Sequence, residues 1–325
     1  MTNCERLRKV LNFEPVDRLP MVEWATWWDK TIERWHAEGL PGEIRDAAAI
    51  SLHLGLDDFR QRWVSPRGPD FKNQGAISSL DDYQKVKKDL YPEDAFDRQL
   101  VRGWVEKQKT GETAVWITLE GFFWFPRTLF GIEKHLYAFY DAPDLMHRIN
   151  SDLLDFNLRV LDEFCSLCVP DFMTFGEDMS YNLGPMISKK IFDEFMAPYY
   201  RRIVPKIKEY GIVPIIDSDG DIKKIIPWFL EVGVDGFLPL ERQAGVDLNE
   251  LRREYPRVRF IGGYDKMVMS KGEKEMRPEF ERLLPAMKSG GYIPSVDHQT
   301  PPGVSLANYR IYLKLLKEYC DKACN

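Results

Sequence analysis

A set of titratable residues stands where the apolar runs of this chain give out: Glu23, Glu120, Glu177, Asp178, Asp217, Asp219, Glu241, Asp265, Lys266, Asp297 and His298. All but a lysine and a histidine are carboxylates. Three chemistries fit them. The first is a metal site of hard or borderline type. Asp217 and Asp219 are two residues apart, so on a regular strand they point the same way, and His298 can complete a two-carboxylate, one-histidine face for a divalent ion, with zinc the first candidate. The second is metal-free acid–base work, because crowded carboxylates raise one another's pKa values until one stays protonated and can donate. The third is a pocket without chemistry. Trp24, Trp27, Trp28 and Trp35 crowd one region and Trp124 follows a later strand; among acidic residues such rings can wall a ligand or hold a cation by cation–π contact. Against all three stands the structural reading: Asp219 and Asp221 cap a helix, His298 is a bonded core histidine, and the tryptophans are core.

The elements that must position these residues can be read from the apolar pattern. The stretch 211–266 holds three short apolar runs, at 212–216, 234–240 and 258–261, each ending in acidic or polar residues, and the first two are each followed by a helix-like segment. Repeated apolar strand and helix is the signature of a parallel sheet, whose site lies at the carboxyl ends of the strands. Over the whole chain the strands are expected at 20–24, 59–64, 114–120, 171–175, 212–216, 234–240, 258–261 and 292–296, mostly with helices between them. That matches a single (β/α)8 TIM barrel over 1–325. A doubly wound sheet is second, since no Gly-rich phosphate loop follows any strand. Helices are expected at 1–12, 29–38, 47–54, 100–109, from 143 to about 168, from Ser188 to 211 with Pro198 and Pro205 kinking it or breaking it in two, at 275–288, and after a Ser305 cap. The polar, Pro/Gly-punctuated segment 65–97 reads as a surface excursion.

With 325 residues and a net charge of −6, the chain can bury a large core and shows no Lys/Arg block for a nucleic-acid partner. No apolar run approaches the ~20 residues a membrane span needs. The N-terminus lacks the apolar core of a signal peptide, and five irregularly spaced cysteines suit a reduced, cytoplasmic protein. Cys165 and Cys168 sit near a helix end without a second ligand pair and read as structural.

Several segments, in order, resemble the uroporphyrinogen decarboxylase superfamily, which also contains corrinoid-linked methyltransferases. They are PVDRLP at 15–20, GFFWFPRTL at 121–129, MISKKIFDEFMAPYY at 186–200, DSDG at 217–220, GVDGFLPLE at 233–241, IGGYDK at 261–266 and DHQTPP at 297–302. The resemblance implies a TIM barrel of that type. The decarboxylases carry an arginine-rich run, Met-Arg-Gln-Ala-Gly-Arg-Tyr, that grips substrate carboxylates. Here Met21-Val22-Glu23-Trp24 stands in its place, so a polycarboxylate meets the wrong charge. The methyltransferase branch places a zinc-binding His-x-Cys-Gly where this chain has Asp217-Ser218-Asp219-Gly220. The resemblance therefore implies methyl transfer between a small methylated substrate and a corrinoid carried by a partner protein. Asp217, Asp219 and His298 are the metal ligands, and Glu177, Asp219 and His298 the catalytic groups. Glu23, Trp24, Trp27, Trp124, Glu241, Asp265 and Lys266 are at the substrate, the last two as an ion pair. A homodimer is the family-level expectation. A metal-free decarboxylase of a small acid or of uroporphyrinogen is the alternative, and a non-catalytic binding protein the next.

Overall fold

The structure, a computed structural model, describes residues 1–72 and 74–324; Asn73 and Asn325 lie outside the described residues. Its strands, in chain order, are β1 (Phe59–Val64), β2 (Ala114–Glu120), β3 (Phe172–Gly176), β4 (Ser180–Tyr181), β5 (Gly184–Pro185), β6 (Val213–Asp217), β7 (Gly236–Leu238), β8 (Arg259–Tyr264) and β9 (Tyr292–Val296). The chain divides into two compact units. One comprises Met1–Arg60, Lys107–Ala114 and Phe237–Asn325, the other Gln61–Glu106 and Val115–Gly236.

In the second unit β2, β3 and β6 are parallel, with Glu120 opposite Gly176 and Gly176 opposite Asp217. Every residue of β2 and β3 is buried, as expected for strands covered on both faces. Alternation sorts the faces. Phe175 meets Tyr200 of the helix Ala197–Glu209, with ring centroids 5.1 Å apart. The opposite face carries Thr118 and Thr174, whose hydroxyls bond at 2.8 Å. Glu120, Gly176 and Asp217 are each two residues beyond this second row, so they share its face at the carboxyl end of the strands. The hairpin β4–β5 follows β3.

In the first unit β8 and β9 are parallel, from Phe260 opposite Tyr292 to Tyr264 opposite Val296. The helices Glu273–Met287 and Leu306–Lys322 pack together, and Tyr264, Phe280 and Tyr319 fill the space between, at centroid separations of 4.5 and 5.1 Å. Ser305 caps the last helix through the Asn308 N–H at 3.1 Å, and in the second unit Ser188 caps Lys189–Phe195 through Ile191.

Two expectations need correction. Residues 20–24 form no strand. Their backbone donors are taken by side chains instead, Met21 by Asp57 at 3.0 Å and Trp24 by Ser295 at 3.4 Å, and the only ladder contact nearby is a single parallel bridge between Trp27 and Thr300. The segment 65–97 is not merely surface: it forms the helix Leu80–Val86 and buries Ile77, Tyr83, Val86, Leu90 and Phe96. The helix expected over 188–211 is in two pieces, as its prolines suggest: it breaks at Met196 just ahead of Pro198, while Pro205 is accommodated inside the second piece. Among the described residues no helix is long and apolar enough to cross a membrane.

Candidate functional site

Each unit carries its own polar cluster at strand carboxyl ends. In the second unit the centre is Glu177, directly after β3. The preceding strand β2 ends at Glu120, and the chain turns at Gly121 into the helix Trp124–Phe130. A side chain on Gly121 would collide with the Glu177 carboxyl, so only glycine fits there. Glu177 Oε1 accepts from the Phe122 N–H at 2.9 Å, and Oε2 accepts from Phe123 at 2.7 Å and Trp124 at 3.0 Å. The Tyr200 hydroxyl donates to Oε1 as well. Burial pushes the carboxyl up to about 7 against these donors. Glu177, expected to move a proton, is thus fully buried and committed to the N–H groups that open a helix.

The turn after β6 sits beside it. The Asp217 carbonyl accepts from the Glu177 N–H at 2.8 Å, and the Ser218 hydroxyl accepts from the Met179 N–H at 3.2 Å. The Asp178 carboxylate accepts from the Asp219 N–H at 3.3 Å. Asp178 holds φ at +39°, a strained value for a non-glycine residue. Burial, with Asp178 and Asp219 close by, holds the Asp217 carboxyl well above the usual range. Two guanidiniums face these acids. Arg127 donates to the Asp178 carbonyl at 2.9 Å and lies 4.3 Å over the Trp124 ring; Arg67 is paired with the buried Glu120. Trp124, expected to wall a ligand, thus has a cation over its ring already.

In the first unit Asp297 is fully buried after β9. It accepts from the N–H groups of Arg242 at 3.0 Å and Lys266 at 3.1 Å, and from Lys266 Nζ at 3.3 Å. Burial raises its carboxyl against the pull of Lys266. Lys266 therefore pairs with Asp297 rather than Asp265. Asp265 instead caps the next turn through Met267 at 2.8 Å and accepts from Gln243 at 2.8 Å. His298 is half-buried, edge-on to Trp24 at 6.2 Å, and the Trp24 indole N–H donates to the Val296 carbonyl at 2.7 Å. Glu241 is half-buried where β7 gives way to a short 3-10 turn.

Two expected ligand contacts are withdrawn into the core. Trp27 is 4% exposed and packs against Trp35 and Tyr309 at 5.6 and 5.8 Å. Glu23 is 1% exposed and accepts from Ser295 at 2.6 Å and Tyr309 at 3.1 Å. Both fates follow from the same cause: the aromatic residues of the final helix close over this segment.

Burial raises Glu23 from 4.5 to about 7. In the unfolded chain it ionises from 4.5 upward, so between these values the fold holds the extra proton and its stability falls as pH rises. Glu23→Gln cannot ionise and should flatten that slope. Melting curves of the two proteins across this window should diverge by roughly 2–3 kcal/mol, the wild type losing more with rising pH. Parallel curves would rule out the raised carboxyl.

The sequence model of uroporphyrinogen decarboxylase (URO-D) matches residues 63–319. The chain belongs to this family, and its fold is the (β/α)8 TIM-barrel type. A methyltransferase from Methanosarcina mazei is similar over 98% of this chain and 99% of its own, at a TM-score of 0.64 and 14% identity. A B12-independent methionine synthase from Shewanella sp. W3-18-1, in complex with selenomethionine, is similar over 94% and 92%, at 0.48 and 15%. No curated protein matches the chain. The likeness to the first shows a shared fold.

Proposed function

We propose that the protein is an enzyme that moves a methyl group between a small methylated substrate and a corrinoid held by a partner protein. The observation that carries this is the acidic character of the strand ends. Where a polycarboxylate substrate needs waiting arginines, both guanidiniums of the second unit's cluster are engaged: Arg67 by Glu120, Arg127 by the Asp178 carbonyl and the Trp124 ring. In a barrel of this type the working residues come from the carboxyl ends of the strands, where these acids stand. The full-length likeness to a methyltransferase supports the same choice over decarboxylation.

Asp178, Asp217 and Asp219 are close enough for their charges to couple, and they offer oxygen ligands. The cysteines stand elsewhere in the sequence. This donor set fits a hard or borderline divalent ion, zinc included, better than a thiolate-type centre. We assign Asp217 and Asp219 to hold it. When bound, such an ion would polarise the heteroatom that releases the methyl group. Glu177 positions the turn that carries Asp217 rather than touching substrate.

The purified protein should carry about one equivalent of a divalent metal, and chelation should lower its melting temperature by several degrees. It should then transfer methyl groups from a methylated donor to free cobalamin, with the loss of activity following the loss of metal. Activity indifferent to chelator, without any need for cobalamin, would instead support the metal-free decarboxylase.

A further inference from the structure

The residue in the second unit that most resembles a built ligand surface is one the sequence pattern treats as an ordinary strand residue. Trp63, the penultimate residue of β1, is 42% exposed. Its ring is nevertheless held from two sides. The far edge of the indole lies against β3 at Gly176, where an added Cβ would come within 2.9 Å of the ring. The indole N–H donates to Glu120 at 3.4 Å, and Glu120, buried, is itself held by Arg67. An exposed surface tryptophan with no task has no reason to be seated on a glycine and pinned by a buried ion pair. Fixing a large ring while leaving much of it exposed forgoes burial free energy, and preorganised aromatic faces of this kind are what binding sites present.

The direction of the ring matters. Glu120, Gly176 and Asp217 are lateral neighbours on three adjacent strands and share one face. The indole reaches across β2 to β3, so the next position in that row is Asp217, one strand spacing of about 4.8 Å further on. A flat group laid on Trp63 would therefore extend toward the Asp217 carboxyl.

We infer that Trp63 is the platform on which the substrate's aromatic ring stacks, with Gly176 as its seat and the Glu120–Arg67 pair as its anchor. The ring is uncharged. Glu120, the acid that pins the indole, already holds the Arg67 guanidinium, so the ring's neighbour offers little to a second cation. Taken with the methyl-transfer reading, on which this second part rests, the substrate class is an aryl methyl ether whose oxygen meets Asp217.

The test is direct binding of 4-methoxyphenol to the full-length protein, by calorimetry or saturation-transfer NMR, with choline as the cationic comparison. Trp63→Ala should weaken 4-methoxyphenol at least about tenfold, and Trp63→Phe, which keeps a ring, by no more than about threefold. Gly176→Ala, which pushes the ring off its seat, should weaken binding as Trp63→Ala does. Choline should bind more weakly than 4-methoxyphenol. Equal affinity in wild type and Trp63→Ala, tighter binding of choline, or no binding of 4-methoxyphenol to the wild type would each overturn the inference. Binding that depends on Trp63, without methyl transfer to cobalamin, would leave the platform standing and remove the methyl-transfer reading. Methyl transfer from 4-methoxyphenol with KM unchanged in Trp63→Ala would do the reverse.

Discussion

Glu177→Ala should destabilise the fold by about 3–5 kcal/mol, because it strands four buried donors at once. The N–H groups of Phe122, Phe123 and Trp124 and the Tyr200 hydroxyl all end on this carboxylate, and the residue is fully buried. Water cannot replace the missing acceptor without opening the turn from β2 into Trp124–Phe130. Denaturant or thermal melting would measure the loss. Glu177→Gln keeps one acceptor oxygen but sets an amide NH2 against donors, so it should cost about half as much. Tyr200→Phe removes a single bond and should cost about 1–2 kcal/mol. The same variants separate positioning from chemistry. If Glu177 only shapes the turn, Glu177→Gln should keep kcat within about threefold at a temperature where it stays folded. A stable Glu177→Gln with kcat down a hundredfold or so would restore the proton-transfer role that sequence alone suggests.

The second large effect is expected at Asp219, with the opposite pattern. Its side chain is half-buried on a turn whose bonds to the Glu177 and Met179 N–H groups run through the Asp217 carbonyl and the Ser218 hydroxyl, so Asp219→Ala should change stability by no more than about 1 kcal/mol. If it shares the metal or proton work with Asp217, methyl transfer should fall by about 100- to 1,000-fold, mostly in kcat, and the bound metal should fall with it. Asp221 is the internal control. It belongs to the same acidic run, but its carboxylate accepts from the Lys223 N–H at 3.1 Å and pairs with the Lys223 ammonium at 3.5 Å. Asp221→Ala should stay within about threefold of wild type. Asp219→Ala with normal turnover would remove this residue from the site.

What the sequence discloses, and what it hides, divides by the distance between partners. The strands from 59–64 onward, and the caps at Ser188 and Ser305, follow from periodicity and cap chemistry within a few residues. Residues 20–24 have a strand's composition. They are kept out of a ladder by Asp57, 36 residues away from Met21, and by Ser295, 271 away from Trp24. No local pattern carries that information. Glu177 has the position of an active-site acid in sequence, yet its partners lie 53 to 55 residues upstream. The pairing of Lys266 with Asp297 spans 31 residues. Among the tryptophans, residue type alone does not separate Trp27, packed in the core, or Trp124, covered by Arg127, from Trp63, whose seat depends on the absence of a side chain at Gly176. Alternation along β1 was the one available signal for Trp63, and it does not distinguish a ring that packs from a ring that waits.

The turn after β6 is secured by the Asp217 carbonyl, the Ser218 hydroxyl and the main-chain N–H groups around them, with Gly220 at φ +82° tight against the backbone of Ser180 and Tyr181. Positions 217 and 219, the proposed ligands, are thus carried by a frame to which the residues between and after them, together with the main chain, contribute. Exchanging Asp217 for histidine and Asp219 for cysteine would keep those named bonds while changing hard oxygen donors into softer nitrogen and sulfur donors. On the proposed assignment, two substitutions within one turn would change the ion that the turn favours, and with it the reaction open to the barrel.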